Sequence, residues 1–448
     1  MTKARLDGLY LLLLGSLAFL LLGTILANTS LVAMVDFRVL YYPARCLIHH
    51  GDPYNESELL RMTLAETGDR PEDVAKAREV MRYIYLPTAF FLTVPFAMLP
   101  WGPAHILWMA LIVGSLIFAS FLIWNVGADY APVASGALIG FFLLNSELLV
   151  VAGNMAGVAI SFCVVAVWCF LRKRFVPVGI LCLAIALAVK PHDTGLVWLY
   201  FLLAGGVHRK RALQTLLVAV ALSLPGVLWV WHVAPHWIQG LHSNLLADSV
   251  HGGTNDPGLI STGAHGLGMM VNLQTVISAI WDDPRIYNTA TYLICGALLL
   301  IWSVTTLRFR SSLSRAWLAL AAIAALSMLP FYHRQQDTRL ILLTVPACVM
   351  LWAEGGLIGW LALMVNTAGF VLAGDIPWIV FLSLIDKLHL PATRLSGRIL
   401  TAVQVFPVPL ILLTMSVYYL WVYVRRCSAQ PEPHQDLAGS ENLAPPIA

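Results

Sequence analysis

The sequence predicts an all-α polytopic membrane protein of about 10–13 membrane helices, some short or re-entrant. Two observations carry this. Of 448 residues, 59% are hydrophobic and only 11% charged, whereas a soluble domain carries about 25% charged residues and needs them to face water. The mean hydropathy of +0.78 comes from long continuous apolar runs. The roughly 10-residue alternations of a transmembrane barrel are not seen. Inside a bilayer every backbone polar group must be satisfied within the protein, so such runs read as helices.

Taken in order, the apolar segments are 8–30, 84–100, 104–124, 131–151, 155–171, 176–189, 192–206, 213–232, 290–307, 316–331, 339–353, 355–374, 376–386 and 399–424. The first follows Lys3 and Arg5 and is too long for a signal peptide, so it reads as a retained span. Segment 84–100 carries Pro87, Pro95 and Pro100, and the pair 176–189 and 192–206 is broken at Lys190-Pro191. Pieces shorter than the roughly 20 residues of a full span suggest half-helices facing a protein interior or a wet cavity.

Five basic clusters punctuate the runs: Lys3/Arg5, Arg172–Arg174, Arg209–Arg211, Arg308/Arg310/Arg315 and Arg425/Arg426. The positive-inside rule puts all five, and both termini, on the cytoplasmic side. Residues 31–83, 233–289, 332–338 and 387–398 then fall outside, and residues 428–448 form a disordered cytoplasmic tail after a single membrane domain, 1–427. The parity closes only if 84–100 does not cross, or pairs with another segment as a hairpin. The first outer loop suggests a helix around Pro71–Val80. The second, rich in Gly, His and Asn, ends in an apolar stretch that suits the membrane surface or a dip into it.

Net charge is only +3 and nothing points to nucleic acid. The seven cysteines lack metal-ligand spacing, as do His236, His242, His251 and His265 of the second outer loop. No phosphate-binding loop, dinucleotide fingerprint or serine-nucleophile elbow is present. No cofactor is required by these residues, and dependence on a divalent metal stays open.

Four places concentrate polar chemistry. Asp36, just after the first span, reads either as a solvated anchor or as a general base at the membrane face. Its aromatic company (Phe37, Tyr41, Tyr42, Tyr54) suits an interface belt or a sugar platform, and Arg38 and Arg45 could pair with lipid phosphates. Lys190 lies between apolar runs, so it is either a snorkelling lysine at a hairpin tip, neutralised by Asp193, or a cation for an anionic headgroup. Tyr332, His333, Arg334, Gln335, Asp337 and Arg339 form a polar knot between two spans, read as a site or as an ordinary wet loop. Glu147 sits in an apolar run, and Asn154, after Gly153, reads first as a helix cap.

In this order the segments "DFRVLYYPARCLIHHGDPYN", "YIYLPTAFFLTVPFAMLP", "GNMAGVAISF" followed by "AVKP", and "YHRQQDTRLILL" resemble the membrane glycosyltransferases of family 87, across roughly residues 8–350. The resemblance implies a GT-C type fold. It also implies inverting transfer of a hexose, typically mannose, from a polyprenyl-phosphate sugar to a lipid or glycan acceptor outside a bacterial plasma membrane. On this resemblance Asp36 is the base, Lys190 binds the donor phosphate and His333 takes the place of the late histidine; the reading of the neighbouring polar residues adds Arg334 and Arg38 as expected phosphate ligands. Tyr41, Tyr42, Asp52, Tyr54, Asn154, His333 and Asp337 contact substrate. Where many members carry Gly-Gln-x-Asn, this chain has Gly153-Asn154-Met155, and its late motif is Tyr332-His333-Arg334; these departures bear on which sugar and acceptor it uses. Two rival readings stand beside it: a transporter or flippase of lipid-linked sugars, and a non-catalytic protein of envelope assembly.

Overall fold

Hydropathy decides the architecture. The computed structural model describes residues 2–29, 33–67, 82–251, 253, 255–258, 270–309, 312–377 and 395–429. Among these the chain is helical, and its one β feature is an isolated antiparallel bridge between Met270 and Arg334. Six helical stretches, one of them the interrupted Pro132–Ala152, are long and apolar enough to cross a membrane, with shorter apolar helices packed among them. The expectation of a helix near Pro71–Val80, and those for 376–386, 387–398 and most of the tail, fall largely or wholly outside the described residues. The last helix runs on to Ala429.

Helix α1 (Lys3–Thr29) is followed by the amphipathic α2 (Val35–Ile48), α3 (Glu56–Thr67) and the short α4 (Phe90–Ala97). Next come α5 (Trp101–Gly127), α6 (Pro132–Leu144), the one-turn α7 (Leu148–Ala152), α8 (Ala156–Leu171), α9 (Val176–Val189), α10 (Pro191–Leu203) and α11 (Gly206–Val233). The second polar region holds α12 (Trp237–Ser249) and α13 (Leu273–Ser278). The chain then runs through α14 (Pro284–Arg308), α15 (Leu313–Leu326), a ten-residue 3₁₀ helix over Gln335–Thr344, α16 (Val345–Glu354), α17 (Gly356–Leu372), α18 (Leu395–Val405) and α19 (Pro407–Ala429).

Lipid gives no hydrophobic drive to helix pairing, so close backbone approach must supply it. The contact between α1 and α6 shows this: a Cβ built at Gly15 or Gly136 would run into the backbone of Gly140 or Gly8 respectively.

The basic clusters gather at one end of the bundle. Arg5 and Arg172 both grip Asp129, at 2.6 and 2.5 Å, and Arg211 donates to the Phe170 carbonyl at 2.7 Å. Arg426 pairs with Glu354, Tyr130 lies in the fields of Arg172, Asp129 and Glu354, and Arg315 lies beside Tyr423 and Cys427. The two long polar segments meet at the other end. Asn244 donates to the Tyr54 and Tyr83 carbonyls, at 3.2 and 3.1 Å, and Arg82 pairs with Asp248 at 3.0 Å.

Segment 84–100 stays at this second end. Thr88 donates to the Ala188 carbonyl beside Lys190, and the carbonyls of Ala97 and Leu99 accept from Arg45 and Tyr41 of α2. It therefore does not cross, which closes the parity. The described part of the apolar stretch after the second long polar segment packs into the bundle. Helix α13 is buried, with Gln274 donating to the Pro330 carbonyl at 3.0 Å.

Candidate functional site

A cavity of about 770 Å³ opens at the end away from the basic clusters, lined by residues far apart in sequence. Asp36 enters from α2, Asn154 from the start of α8, Lys190 from the break between α9 and α10, and Arg334 and Asp337 from the edge of the 3₁₀ helix. Val35, Val39, Ile84 and Leu245 make part of its wall apolar.

Each side chain is placed by local backbone chemistry. Gly153 has φ +67°, and a Cβ there would stand 2.7 Å from Met34 Sδ and 2.9 Å from Phe37 Cβ. Only glycine turns the chain this tightly against α2. The turn lets Asn154 work twice: its Oδ1 accepts from the Ala156 N–H at 2.7 Å, opening α8, and its Nδ2 donates to Asp36 Oδ2 at 2.6 Å. The helix-start reading of Asn154 and the site reading are therefore one arrangement. Gln336 Nε2 reaches the same carboxylate oxygen at 3.4 Å. Burial holds the Asp36 carboxyl above its ordinary pKa; the Asn154 hydrogen bond and the charges of Arg334 and Lys190 pull the other way.

Lys190 ends α9 because Pro191 cannot continue it. Its ammonium is buried and bracketed by two carboxylates: Asp193 Oδ2 at 3.2 Å, and Asp337, which it also hydrogen-bonds. The snorkelling reading fails, because Lys190 is only 5% exposed. Asp193 does neutralise it, but jointly with Asp337.

Arg334 is differently placed. Its backbone is fixed by the bridge to Met270 and by its N–H donating to Asp337 Oδ2 at 2.9 Å. Its guanidinium donates to the Tyr332 hydroxyl and to Asn255 Oδ1, with no carboxylate in ion-pair contact among the described residues. Among the described arginines and lysines of the lining it is thus the one without a carboxylate ion-pair partner, since Lys190 is held by Asp193 and Asp337, and Arg82 by Asp248 and Glu56.

Several sequence-predicted residues lie elsewhere. Tyr41 donates to the Leu99 carbonyl and packs edge-on to Tyr42, which stacks on Trp101. Tyr54 donates to the Tyr85 carbonyl and packs on Tyr83 and Trp237. All three are buried and none lines the cavity, so the sugar-platform expectation is corrected to aromatic packing that ties α2 to its neighbours. Arg38 lies over the Trp101 ring and Asp52 accepts from the Tyr54 N–H at 2.8 Å; neither reaches the cavity. His333 is fully buried behind the wall, its Nε2 3.3 Å from Asp193 Oδ1. It lies against Asp193 and is not part of the cavity lining.

Sequence reading missed Tyr85, Gln336 and Arg82 in the lining, and the buried pair of Arg339 with Asp375 behind it. Gln336 sat within the polar knot and offered a signal; Arg82 and Tyr85, at the edge of an apolar segment, offered none. Glu147 is 2% exposed, its carboxylate oxygens have no hydrogen-bond partner among the described residues, and it stands outside the cavity lining. Comparison with protein-family models, curated proteins and solved structures finds no match to the chain.

Proposed function

We propose that the protein is a GT-C type membrane glycosyltransferase. In this reading it moves a hexose, typically mannose, from a polyprenyl-phosphate sugar to a lipid or glycan acceptor at the face opposite its basic clusters. One observation carries the reading: a carboxylate, a carboxylate-free arginine and a neutralised lysine from distant segments share one cavity of about 770 Å³, a volume in the range of small-molecule sites. The positive-inside rule makes that face extracytoplasmic, and the resemblance to family 87 points the same way.

In the reaction, the acceptor hydroxyl sits against Asp36. Its oxygen forms the new bond to the anomeric carbon as the bond from that carbon to the phosphate oxygen breaks. The proton passes to Asp36 and the electron pair leaves with the polyprenyl phosphate, giving inversion. A carboxyl with a raised pKa is a stronger base than a free aspartate, which suits Asp36. Arg334 is the donor-phosphate ligand, because a guanidinium can meet a phosphate through two parallel N–H donors. Lys190, already shared by two carboxylates, holds Asp337 and the helix break in place. No nucleotide-binding motif is needed, because the donor is not a nucleotide sugar.

The test is transfer of radiolabelled sugar from polyprenyl phosphate by purified protein in detergent, where transport has no meaning. Asp36→Asn keeps the shape and removes the base, and a loss of about 10²–10⁴-fold is expected. Full activity in that variant would remove Asp36 from the role. Absence of transfer by the wild-type protein, with substrate movement in vesicles, would favour the transporter reading, to which the helix break at Lys190 also lends itself.

A further inference from the structure

Beside the cavity, two imidazoles and a carboxylate converge. We infer that His192, Asp193 and His333 form a binding site for a divalent transition ion of the zinc class. Their ligand atoms all lie within 4.8 Å of one another. His192 Nε2 is 3.5 Å from Asp193 Oδ1, and His333 Nε2 is 3.3 Å from the same oxygen. A tetrahedral ion with bonds of about 2.0–2.1 Å holds its ligands roughly 3.3–3.4 Å apart. One of the three edges has this length, at 3.3 Å, and a second, at 3.5 Å, is slightly longer.

A second observation is independent of these distances. Asp193 is 1% exposed and His333 fully buried; Asp193 Oδ2 faces the Lys190 ammonium at 3.2 Å, but Asp193 Oδ1 and His333 Nε2 have no aligned hydrogen-bond partner among the described residues. Buried polar groups are normally paired. His333 Nδ1 lies 3.2 Å from the Phe331 carbonyl; in the tautomer that donates there, the Nε2 lone pair is turned to Asp193 Oδ1, and two lone pairs so placed are what a metal ion requires.

The charge tally agrees. Lys190 supplies one positive charge against the two carboxylates Asp193 and Asp337, leaving room for further positive charge. Lys190 approaches Asp193 Oδ2 while both imidazoles approach Oδ1, so an ion on Oδ1 would have Lys190 as an outer partner of its carboxylate ligand. Two nitrogens and one oxygen favour zinc, cobalt or iron over magnesium, calcium or manganese, which prefer oxygen. His192 lines the cavity, whereas Asp193 and His333 do not, so the remaining coordination positions are reached past His192.

The test is zinc binding to the full-length, tag-free protein in detergent, by competition with a chromophoric chelator, with cobalt absorption as a coordination signature. It uses neither donor nor acceptor, so its outcome is separate from that of the transfer assay. The expected result is one zinc per chain, weakened at least about 100-fold by His192→Ala or His333→Ala, since losing even an outer-shell partner costs 10–100-fold. Excess magnesium should not displace it. His192 is part-exposed at the cavity wall, so its alanine variant is decisive if His333→Ala fails to fold. Lack of stoichiometric zinc in the wild type, or zinc undiminished in His192→Ala, overturns the site and leaves an imidazolium at His333 as the balancing charge.

Discussion

The two ends of this bundle use the same kind of ion pair in opposite ways. At the basic end, Arg5, Arg172 and Asp129 are 29–42% exposed, and the Arg426–Glu354 pair is 31% and 48% exposed. Water still solvates these groups, and such pairs contribute about 0–1 kcal/mol each. At the cavity end, the side chains of Lys190, Asp193 and Asp337 are 6%, 1% and 3% exposed, and those of Arg339 and Asp375 2% and 7%. These charges have lost their water and depend on their partners, whereas Arg82 and Asp248 at the cavity mouth stay 43% and 16% exposed. The basic end is consistent with a role in orientation, in which exposed charges are interchangeable. The cavity end depends on geometry, and its charges are not.

The largest effect should therefore come from removing one buried partner. Lys190→Met leaves Asp193 and Asp337 facing each other without a cation. Breaking a buried pair costs about 3–5 kcal/mol, which thermal unfolding in detergent would read as a large drop in Tm. Adding Asp337→Asn to Lys190→Met should restore part of the loss. A Tm unchanged by Lys190→Met would erase the contrast between the ends.

The next effect is on pH dependence. In the proposed reaction Asp36 works ionised, so transfer fades as pH falls through its pKa. Burial raises that pKa above the ordinary value near 3.8 while the Asn154 hydrogen bond lowers it. Asn154→Ala removes a lowering influence, so the acid limb of the pH–rate profile should move to higher pH. A limb that stays or moves to lower pH would detach Asn154 from Asp36.

The smallest effect belongs to the basic end. Arg172→Ala should cost no more than about 1 kcal/mol, and less as salt is added. A cost matching that of Lys190→Met would show that the basic end is also a desolvated network.

Much of the site was legible because burying a charge is expensive wherever the chain puts it. Lys190 and the Tyr332–Arg339 knot stood out against apolar sequence, and both reach the cavity region. Tyr41, Tyr42 and Tyr54 were misassigned because an aromatic ring at a membrane rim has the same composition signal whether it stacks on Trp101 or on a sugar. His333 was marked as polar and unusual, but its partner Asp193 lies 140 positions away in the chain. The loop histidines lack metal-ligand spacing, and spacing could not show the converging trio either, which uses two neighbours on one helix start and a third from a distant turn.

By itself the sequence determined that this is an all-helical membrane protein, because the length of apolar runs and the cost of unpaired backbone in lipid are local properties. It also set the division of basic from other polar segments, since charge is written residue by residue. Only the tertiary structure decided that 84–100 turns back without crossing, that Lys190 is shared by two carboxylates, and that Asp36 meets Asn154. Those facts depend on which helices touch. In lipid that choice rests on close backbone approach and buried hydrogen bonds, which no stretch of the chain carries alone.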